Sequence, residues 1–586
     1  MKNLFYLNKY FVKYKWHLLL GIVFVTLSNY FKVLIPQEIR KALDFVYDSL
    51  KGNEQGSEIA IPSDQLLRFA LTVIGFSVMM GIFMYLMRQT IIVMSRLIEY
   101  DMRKEIFTNY ESQDINFFKR RKTGDLMSRV SEDVSKVRMY LGPAILYGIN
   151  LSTMTIIVMY AMFQVSPELT LYTLIPLPFL SVSIYIVSRM INKRSELIQK
   201  QIARLTSISQ EVFSGIRIVK SYAKEKQFAD FFEGETQIYK DRSMDLAKVN
   251  ALFFPLMITL ISLSSLLTIY IGGILVNKGE ITNGHIAEFI IYINYLTWPF
   301  TAVGWIASIV QQAEASQKRI NEILQITPQI TNANTKEYAV QGKIELRNVS
   351  YTYPDTGIEA IKNVSFVLEP GEKLMLLGKT ASGKSTLADL ILRMYDTNSG
   401  QILIDDVDIK EHNLDVVRQN IGYVPQDVFL FSDNIENNII FGNDNEDVSK
   451  VEEFAEYASV HQDILGLPEG YKTKVGERGV TLSGGQKQRV SIARAFIKEP
   501  KIIIMDDSLS AVDTKTENTI LNYLNTMLKD KTAILITHRL FKNLDIDKII
   551  VLDEGKIVEM GTHKELYSNK SFYYELVEQQ SLEEIT

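Results

Sequence analysis

Six stretches before residue 320 carry no Asp, Glu, Lys or Arg: Trp16–Phe31, Phe69–Met87, Met139–Val165, Leu169–Ser188, Val249–Asn277 and Phe289–Ala313. A helix rises 1.5 Å per residue, so crossing ~30 Å of hydrocarbon takes about 20 residues. Five runs are long enough outright. The first reaches that length if Lys32 snorkels to the headgroups. A buried helix in a large soluble core could account for one such run but not for six. The pattern therefore predicts six spans, with a lipid bilayer as the first partner. Basic Met1–Lys15 ahead of the first run mimics a signal peptide. No small-residue cleavage site follows, because Asn29, Tyr30 and Phe31 lead into more apolar chain. Leu4, Phe5, Leu7, Phe11 and Val12 among four lysines instead predict an amphipathic helix lying in the interface.

Basic residues are unevenly shared between the connections. The segment from Arg88 to Arg138 holds eleven, and that from Arg189 to Lys248 holds twelve. Gln164–Glu168 holds none, Lys278 stands alone between the last two spans, and the first outer connection carries Arg40, Lys41 and Lys51. By the positive-inside rule both termini are expected in the cytoplasm of a multi-pass cytoplasmic-membrane protein. The two inner connections are too long for structureless loops and are patterned as helices. They predict helical hairpins reaching ~30 Å below the membrane. Their tips are expected at Glu111–Arg121 and Val212–Lys224.

Ionisable residues are almost absent from the spans, although ion-driven carriers usually keep carboxylates or His there. Energy is therefore expected from elsewhere. The chain has no Cys, which removes disulfides, Cys-ligated zinc, Fe–S clusters and Cys nucleophiles. A net charge of −5 argues against nucleic acid as a partner.

Near Gly342 the long apolar runs give way to short β-rich segments, Lys343–Val349, Ser365–Leu368 and Lys373–Leu377. The boundaries expected are a membrane domain over 1–318, a linker over 319–342, a second domain over 343–578 and a tail over 579–586. Leu374–Leu377 runs into Gly378-Lys379-Thr380-Ala381-Ser382-Gly383-Lys384-Ser385, which matches G-x-x-x-x-G-K-[ST] and precedes a helix expected over Thr386–Met394. In such a P-loop, glycines let backbone N–H groups surround phosphate oxygens at a helix N-terminus. Lys384 is then placed to reach the β- and γ-phosphates, and the Ser385 hydroxyl to hold Mg²⁺. Three further strands end in polar groups: Lys501–Met505 in Asp506-Asp507, Ala533–Thr537 in His538, and Ile421–Pro425 in Gln426. Polar side chains at the carboxyl ends of parallel strands are where open α/β sheets bind ligands.

Leu482-Ser483-Gly484-Gly485-Gln486, ahead of a helix expected over Lys487–Ile497, makes the resemblance specific. The order Tyr353, P-loop, Gln426, Val475-Gly476-Glu477-Arg478-Gly479, LSGGQ, Asp506, Ser510-Ala511-Val512-Asp513, His538 is similar to that of ABC ATPases across Lys343–Glu578. Six spans ahead of it resemble an ABC exporter half-transporter, with an all-α six-helix transmembrane domain followed by an α/β P-loop domain. The resemblance implies ATP as substrate with Mg²⁺, and hydrolysis coupled to transport. It implies that Tyr353 stacks on adenine, that Gly378–Thr386 bind the phosphates, and that Ser385, Gln426 and Asp506 serve the metal. Gln426 links metal and attacking water to the membrane hairpins, His538 contacts the γ-phosphate, and Glu111–Arg121 and Val212–Lys224 become coupling helices. Ser483, Gly484, Gly485 and Gln486 close over nucleotide held by a second such domain, so the chain is expected to work as a dimer.

Two positions depart from the family pattern. Asp507 stands where the family usually has the Glu that orients the hydrolytic water, and Ala381 stands where Gly is common. One methylene fewer withdraws the carboxylate by roughly 1.5 Å, and a ~1 Å misplacement can cost ~10²-fold in rate. The chain is therefore expected to bind ATP at a slow site while lending its intact LSGGQ to a partner's competent one. The closest resemblance is to the Asp-bearing half of bacterial heterodimeric multidrug-type exporters, which implies lipophilic or amphipathic cargo. A homodimeric lipid or peptide exporter, and an ATP-gated regulator without net transport, remain as alternatives.

Overall fold

Five of the six charge-free runs lie in helical segments that outlast them and are long and apolar enough to cross a membrane: Lys15–Leu50, Ser63–Glu111, Thr123–Val165, Glu225–Asn277 and Asn283–Leu324. The computed structural model describes residues 2–52, 63–332, 334, 336, 338–443, 448–476, 479, 481–509, 512, 514–541 and 544–583. The fourth run, Leu169–Ser188, is shared between helices Pro167–Leu174 and Pro176–Ser214. Pro176 and Pro178 remove two N–H donors there, while Ile175 keeps helical dihedrals (φ −51, ψ −44), so the chain is interrupted rather than turned. The sharp turn before it is made by Ser166, whose hydroxyl accepts from Leu169 N at 3.2 Å.

The chain divides into two units, Met1–Glu111 with Thr123–Ile326, and Ser112–Lys122 with Thr327–Thr586. In the first, helices continue far past the apolar runs because few Gly or Pro interrupt them. Glu225–Asn277 has 53 residues, about 80 Å at the usual rise. Of the two expected hairpin tips, one carries the short helix Ile216–Ser221 in this unit, and the other carries Ile115–Lys119, which belongs to the second unit. Polar contacts tie spanning helices together where hydrocarbon offers no partner. Asn29 donates to Asn150 O at 3.0 Å and to Thr153 Oγ1 at 2.7 Å, and Thr173 meets Thr268 at 2.8 Å. Glu288, one residue outside the sixth run, is fully buried and pairs with Arg40 at 3.1 Å and Tyr292 at 2.8 Å. The N-terminal segment is helical as its amphipathic pattern predicts. Two of its four lysines pair with acids of this unit: Lys9 with Glu105 at 2.5 Å and Lys13 with Asp101 at 2.6 Å.

Among the described residues the second unit holds ten strands: β1 Ile344–Thr352, β2 Glu359–Leu368, β3 Lys373–Leu377, β4 Ser399–Ile404, β5 Val407–Asp408, β6 Ile421–Val424, β7 Ile502–Asp506, β8 Thr532–Ile536, β9 Lys548–Asp553 and β10 Lys556–Gly561. An antiparallel sheet has the order β2-β1-β4-β5, and a six-stranded sheet has the order β10-β9-β3-β8-β7-β6. From β9 to β6 every pairing in the larger sheet is parallel. Its central strands are buried along their length, as β7 and β8 show, and read as nearly continuous apolar runs because both faces are covered. One apolar core fills the space beneath the antiparallel sheet and a second packs Val490, Phe496, Ile520 and Leu524 against β7 and β8.

Candidate nucleotide site

Adjacent parallel strands deliver the site. Gly378 follows β3, His538 comes two residues after β8, Asp506 ends β7, and Gln426 comes two residues after β6. Since β3, β8, β7 and β6 are neighbours in that order, their carboxyl ends open on one edge. A cleft there, with about 1200 Å³ of open space, is lined by Tyr353, Thr380, Ala381, Ser382, Gly383, Lys384, Ser385, Thr386, Gln426, Asp506, Asp507 and His538. Twelve residues chosen from the sequence thus share one surface.

The loop between β3 and helix Lys384–Ile391 needs its glycines for contact as well as for conformation. A Cβ on Gly378 (φ +154) would lie 2.1 Å from Leu552 O, and one on Gly383 (φ +102) would lie 2.4 Å from Ala360 O. Ala381 is left-handed too, at φ +65, where an L side chain is strained and glycine is favoured. The Lys384 ammonium donates to the carbonyls of Gly378 and Lys379, both at 2.7 Å. Burial pushes its pKa down, against the pull of Asp506 and Asp507. Burial likewise pushes the Asp506 carboxyl up, opposed by its hydrogen bond with Ser385 and by the Lys384 charge. A hydroxyl, a buried carboxylate and an ammonium within reach of one another form a donor set that suits a metal–phosphate pair. Lys379 turns away, its ammonium 5.2 Å from the Phe572 ring centroid.

Asp507 carries its side chain across the strand ends. Its backbone is left-handed (φ +45) and its N–H donates to Ile536 O at 2.8 Å. One carboxylate oxygen lies 3.0 Å from His538 Nδ1, and the other accepts from Gln426 Nε2 at 3.5 Å. The three residues assigned to the hydrolytic end of the cleft therefore interact with each other.

Tyr353 is held at the opposite side. Its hydroxyl meets Thr386 Oγ1 at 3.0 Å and its ring stands edge-on to Tyr351 and Tyr395. Two residues here escaped the sequence reading. Lys119, on the first hairpin tip, places its ammonium 5.2 Å from the Tyr353 centroid and 5.0 Å from that of Tyr395. Asp389, on the P-loop helix, has its carboxyl pushed up to about 6 by burial, with the Lys119 charge pulling the other way. A basic tip was legible, but no spacing linked position 119 to position 353.

The signature residues sit elsewhere, outside the lining of this cleft. Ser483 caps helix Gly484–Phe496, its hydroxyl accepting from Gln486 N at 3.2 Å while Gln486 Oε1 accepts from Ser483 N at 3.0 Å. Gln486 also donates to Asp463, which Arg489 holds at 2.7 Å. Among the other expected motif residues, Glu477, Arg478, Ser510, Ala511 and Asp513 lie outside the described residues.

A P-loop followed by parallel strands with acids, Gln and His at their ends defines an ATP-binding domain, and the apolar helices ahead of it define a multi-pass membrane protein. Residues 18–300 match the family model described as ABC transporter transmembrane region, and residues 361–510 match the one described as ABC transporter. The chain is 33% identical over 582 residues to "Multidrug resistance-like ATP-binding protein MdlA" of Escherichia coli (strain K12), covering 99% of this chain and 97% of that protein. It is 34% identical over 535 residues to "Probable multidrug resistance ABC transporter ATP-binding/permease protein YheI" of Bacillus subtilis (strain 168), covering 89% and 91%. The chain belongs to the ABC transporters, with the transmembrane region and the ATP-binding domain fused in one polypeptide. It binds ATP, and its ATP hydrolysis is coupled to transport.

Proposed function

We propose that this chain is one half of an ATP-driven exporter of lipophilic or amphipathic compounds, paired with a second, non-identical half-transporter. The arrangement at Asp507 carries the reading. A carboxylate one methylene shorter than Glu, engaged by His538 and Gln426, is poorly disposed to orient a water. The Ser483–Gln486 cap supports a sound signature beside it, available to nucleotide on the partner. Multidrug relatives that span nearly the whole chain favour this cargo class.

In this reading Lys384 and the Gly378–Thr386 backbone hold the phosphates, Ser385, Asp506 and Gln426 serve Mg²⁺, and Tyr353 supports the adenine. When bound, Mg²⁺ supplies charge neutralisation at the phosphates. The residues of this chain bind and orient ATP at a slow site, and closure of the paired domains biases the membrane helices outward. Both termini then face the cytoplasm, which the basic inner connections support.

The test is an ATPase comparison in the assembled pair. Asp507→Asn is expected to leave more than half of turnover. Replacement of the partner's Glu at the matching position is expected to lower it by ~10²-fold or more. Equal losses from the two changes would refute the division of labour and restore a symmetric enzyme.

A further inference from the structure

Glu99, on the helix Val93–Glu111 that continues the second span, is a nearly buried carboxylate surrounded by three guanidinium groups. Arg96 Nη1 lies 3.0 Å from its Oε2, Arg103 Nη2 lies 2.8 Å from its Oε1, and Arg138 Nε lies 3.5 Å from Oε2. Arg138 comes from the separate helix Val134–Met139. Close approach of the two elements depends on Gly142, where a Cβ would stand 2.6 Å from Ser95 Oγ. Ser95 precedes Glu99 by four residues and Gly142 follows Arg138 by four, so the same approach brings Arg138 to the carboxylate.

The charges do not balance. Three cations share one acid, and among the described residues the charges acting on Arg138 are Arg96, Glu99 and Arg103. Arg138 is the recessed member, with 18% of its side chain exposed against 61% for Arg96 and 46% for Arg103. Among the described residues its buried Nε makes no hydrogen bond, because 3.5 Å to Glu99 is an ion-pair distance without one. A buried donor left unmet, beside two open guanidinium groups, is a local deficit of acceptors. A structural ion pair requires one arginine; two more at the same carboxylate leave an excess that suits an incoming anion. The place restricts which anion. Arg138 directly precedes the charge-free run Met139–Val165, so the cluster stands where apolar chain gives way to polar chain.

We propose that Arg96, Arg103 and Arg138 form a binding site for the acidic headgroup of an amphiphile, with Glu99 as the built-in anion against which it competes. Guanidinium forks match phosphate and carboxylate oxygens in pairs, and Arg138 reaches the group from the inner side. The site takes the anionic end of a lipid or of a transported compound, while the apolar helices beyond Met139 accommodate the chain. The inference deepens the proposed export function by adding a preference for acidic cargo or acidic lipid, and it rests on the membrane placement made there.

The full-length chain in maltoside micelles is titrated with dioctanoyl phosphatidic acid and with dioctanoyl phosphatidylcholine, and bound molecules are counted by native mass spectrometry. The acid is expected to bind more tightly than the zwitterion. Arg96→Gln and Arg138→Gln are each expected to weaken it by about fivefold, the weight of one basic residue near an anionic surface. Glu99→Gln is expected to tighten it by a similar factor, since it removes the competitor and leaves all three cations. A purely structural ion cluster predicts the opposite sign for Glu99→Gln. Arg96 is mostly exposed, so its variant keeps the test alive if the Glu99 variant folds poorly. Equal binding of the two lipids, or weakening by Glu99→Gln, overturns the proposal.

The source is separated with the assembled transporter in phosphatidylcholine vesicles. ATP-dependent accumulation of decyl sulfate that falls with Arg138→Gln identifies transported cargo. Phosphatidic-acid stimulation of ATPase that falls with Arg138→Gln, without accumulation, identifies a lipid. Insensitivity of both to Arg138→Gln overturns the site while leaving ATP-driven export of neutral compounds intact.

Discussion

The P-loop cleft and the signature helix both begin at glycine-rich turns entering a helix, yet they are left in opposite states. At the P-loop the first helical residue, Lys384, folds back onto carbonyls of its own loop, and Ser385 shares a hydrogen bond with Asp506. These are groups waiting for an anion and a cation. At the signature Ser483 and Gln486 cap each other, so the helix start is complete by itself. The P-loop side chains face groups of their own cleft, whereas the signature helix start is complete by itself; under the proposed pairing it meets nucleotide held by the partner.

The sharpest way to break this contrast is to change one residue in each half-site and measure nucleotide binding by the isolated chain. Lys384→Ala is expected to weaken ATP binding by roughly 10–100-fold, the worth of a charge-assisted contact. Ser483→Ala is expected to leave that affinity unchanged, to cost about 1 kcal/mol of local helix stability, and to lower ATPase only in the assembled pair. Loss of binding in the isolated Ser483 variant would mean that the signature belongs to the chain's own cleft.

A middle-sized effect sharpens the description of the P-loop side. The Asp389 carboxyl is held at about 6 by burial against 3.8 as its ordinary value. Because the folded value is the higher, the neutral form is favoured in the fold. The resulting stability is present below pH 3.8 and is lost as pH rises through about 6. Asp389→Asn is expected to flatten that slope in a melting series between pH 4 and 7. Lys119→Met, which removes an opposing positive charge, is expected to move the window to higher pH. The same variant is expected to raise the KM for ATP by about 2–5-fold if Lys119 steadies Tyr353 through its ring. An unchanged pH window in Lys119→Met would separate the hairpin tip from the nucleotide side.

The smallest effect concerns the loop backbone. Ala381→Gly relieves a left-handed alanine and is expected to stabilise the nucleotide unit by about 0.5–1 kcal/mol, less the extra freedom gained by the unfolded chain. A thermal shift upward by ~1–3 °C checks it. A fall in melting temperature would show that the Ala381 methyl makes a contact worth more than the strain.

Much of the molecule was legible in its sequence because the constraints were local. Membrane spans follow from the absence of charge over a fixed length, and Gly378 and Gly383 follow from the crowding that any side chain would meet there. Strand ends were legible for the same reason: Gln426, Asp506 and His538 terminate apolar runs, and parallel pairing places such ends on one edge. Other features were hidden because they depend on residues distant in sequence. The Asp507–His538–Gln426 contacts join positions 31 and 81 residues apart. The fourth apolar run read as one span, yet two prolines interrupt it. The N-terminal segment read as an amphipathic helix, but nothing in its pattern announced that Lys9 and Lys13 pair with Glu105 and Asp101.

By itself the sequence determined that this chain crosses a membrane, binds ATP and belongs among the transporters, because those properties reside in run lengths and short motifs. Only the tertiary structure decided that three arginines share one buried acid, that a hairpin lysine lies beside Tyr353, and that Asp507 is engaged by its neighbours. Side-chain electrostatics act over a few ångströms of space rather than of chain, so no spacing in the sequence can announce them.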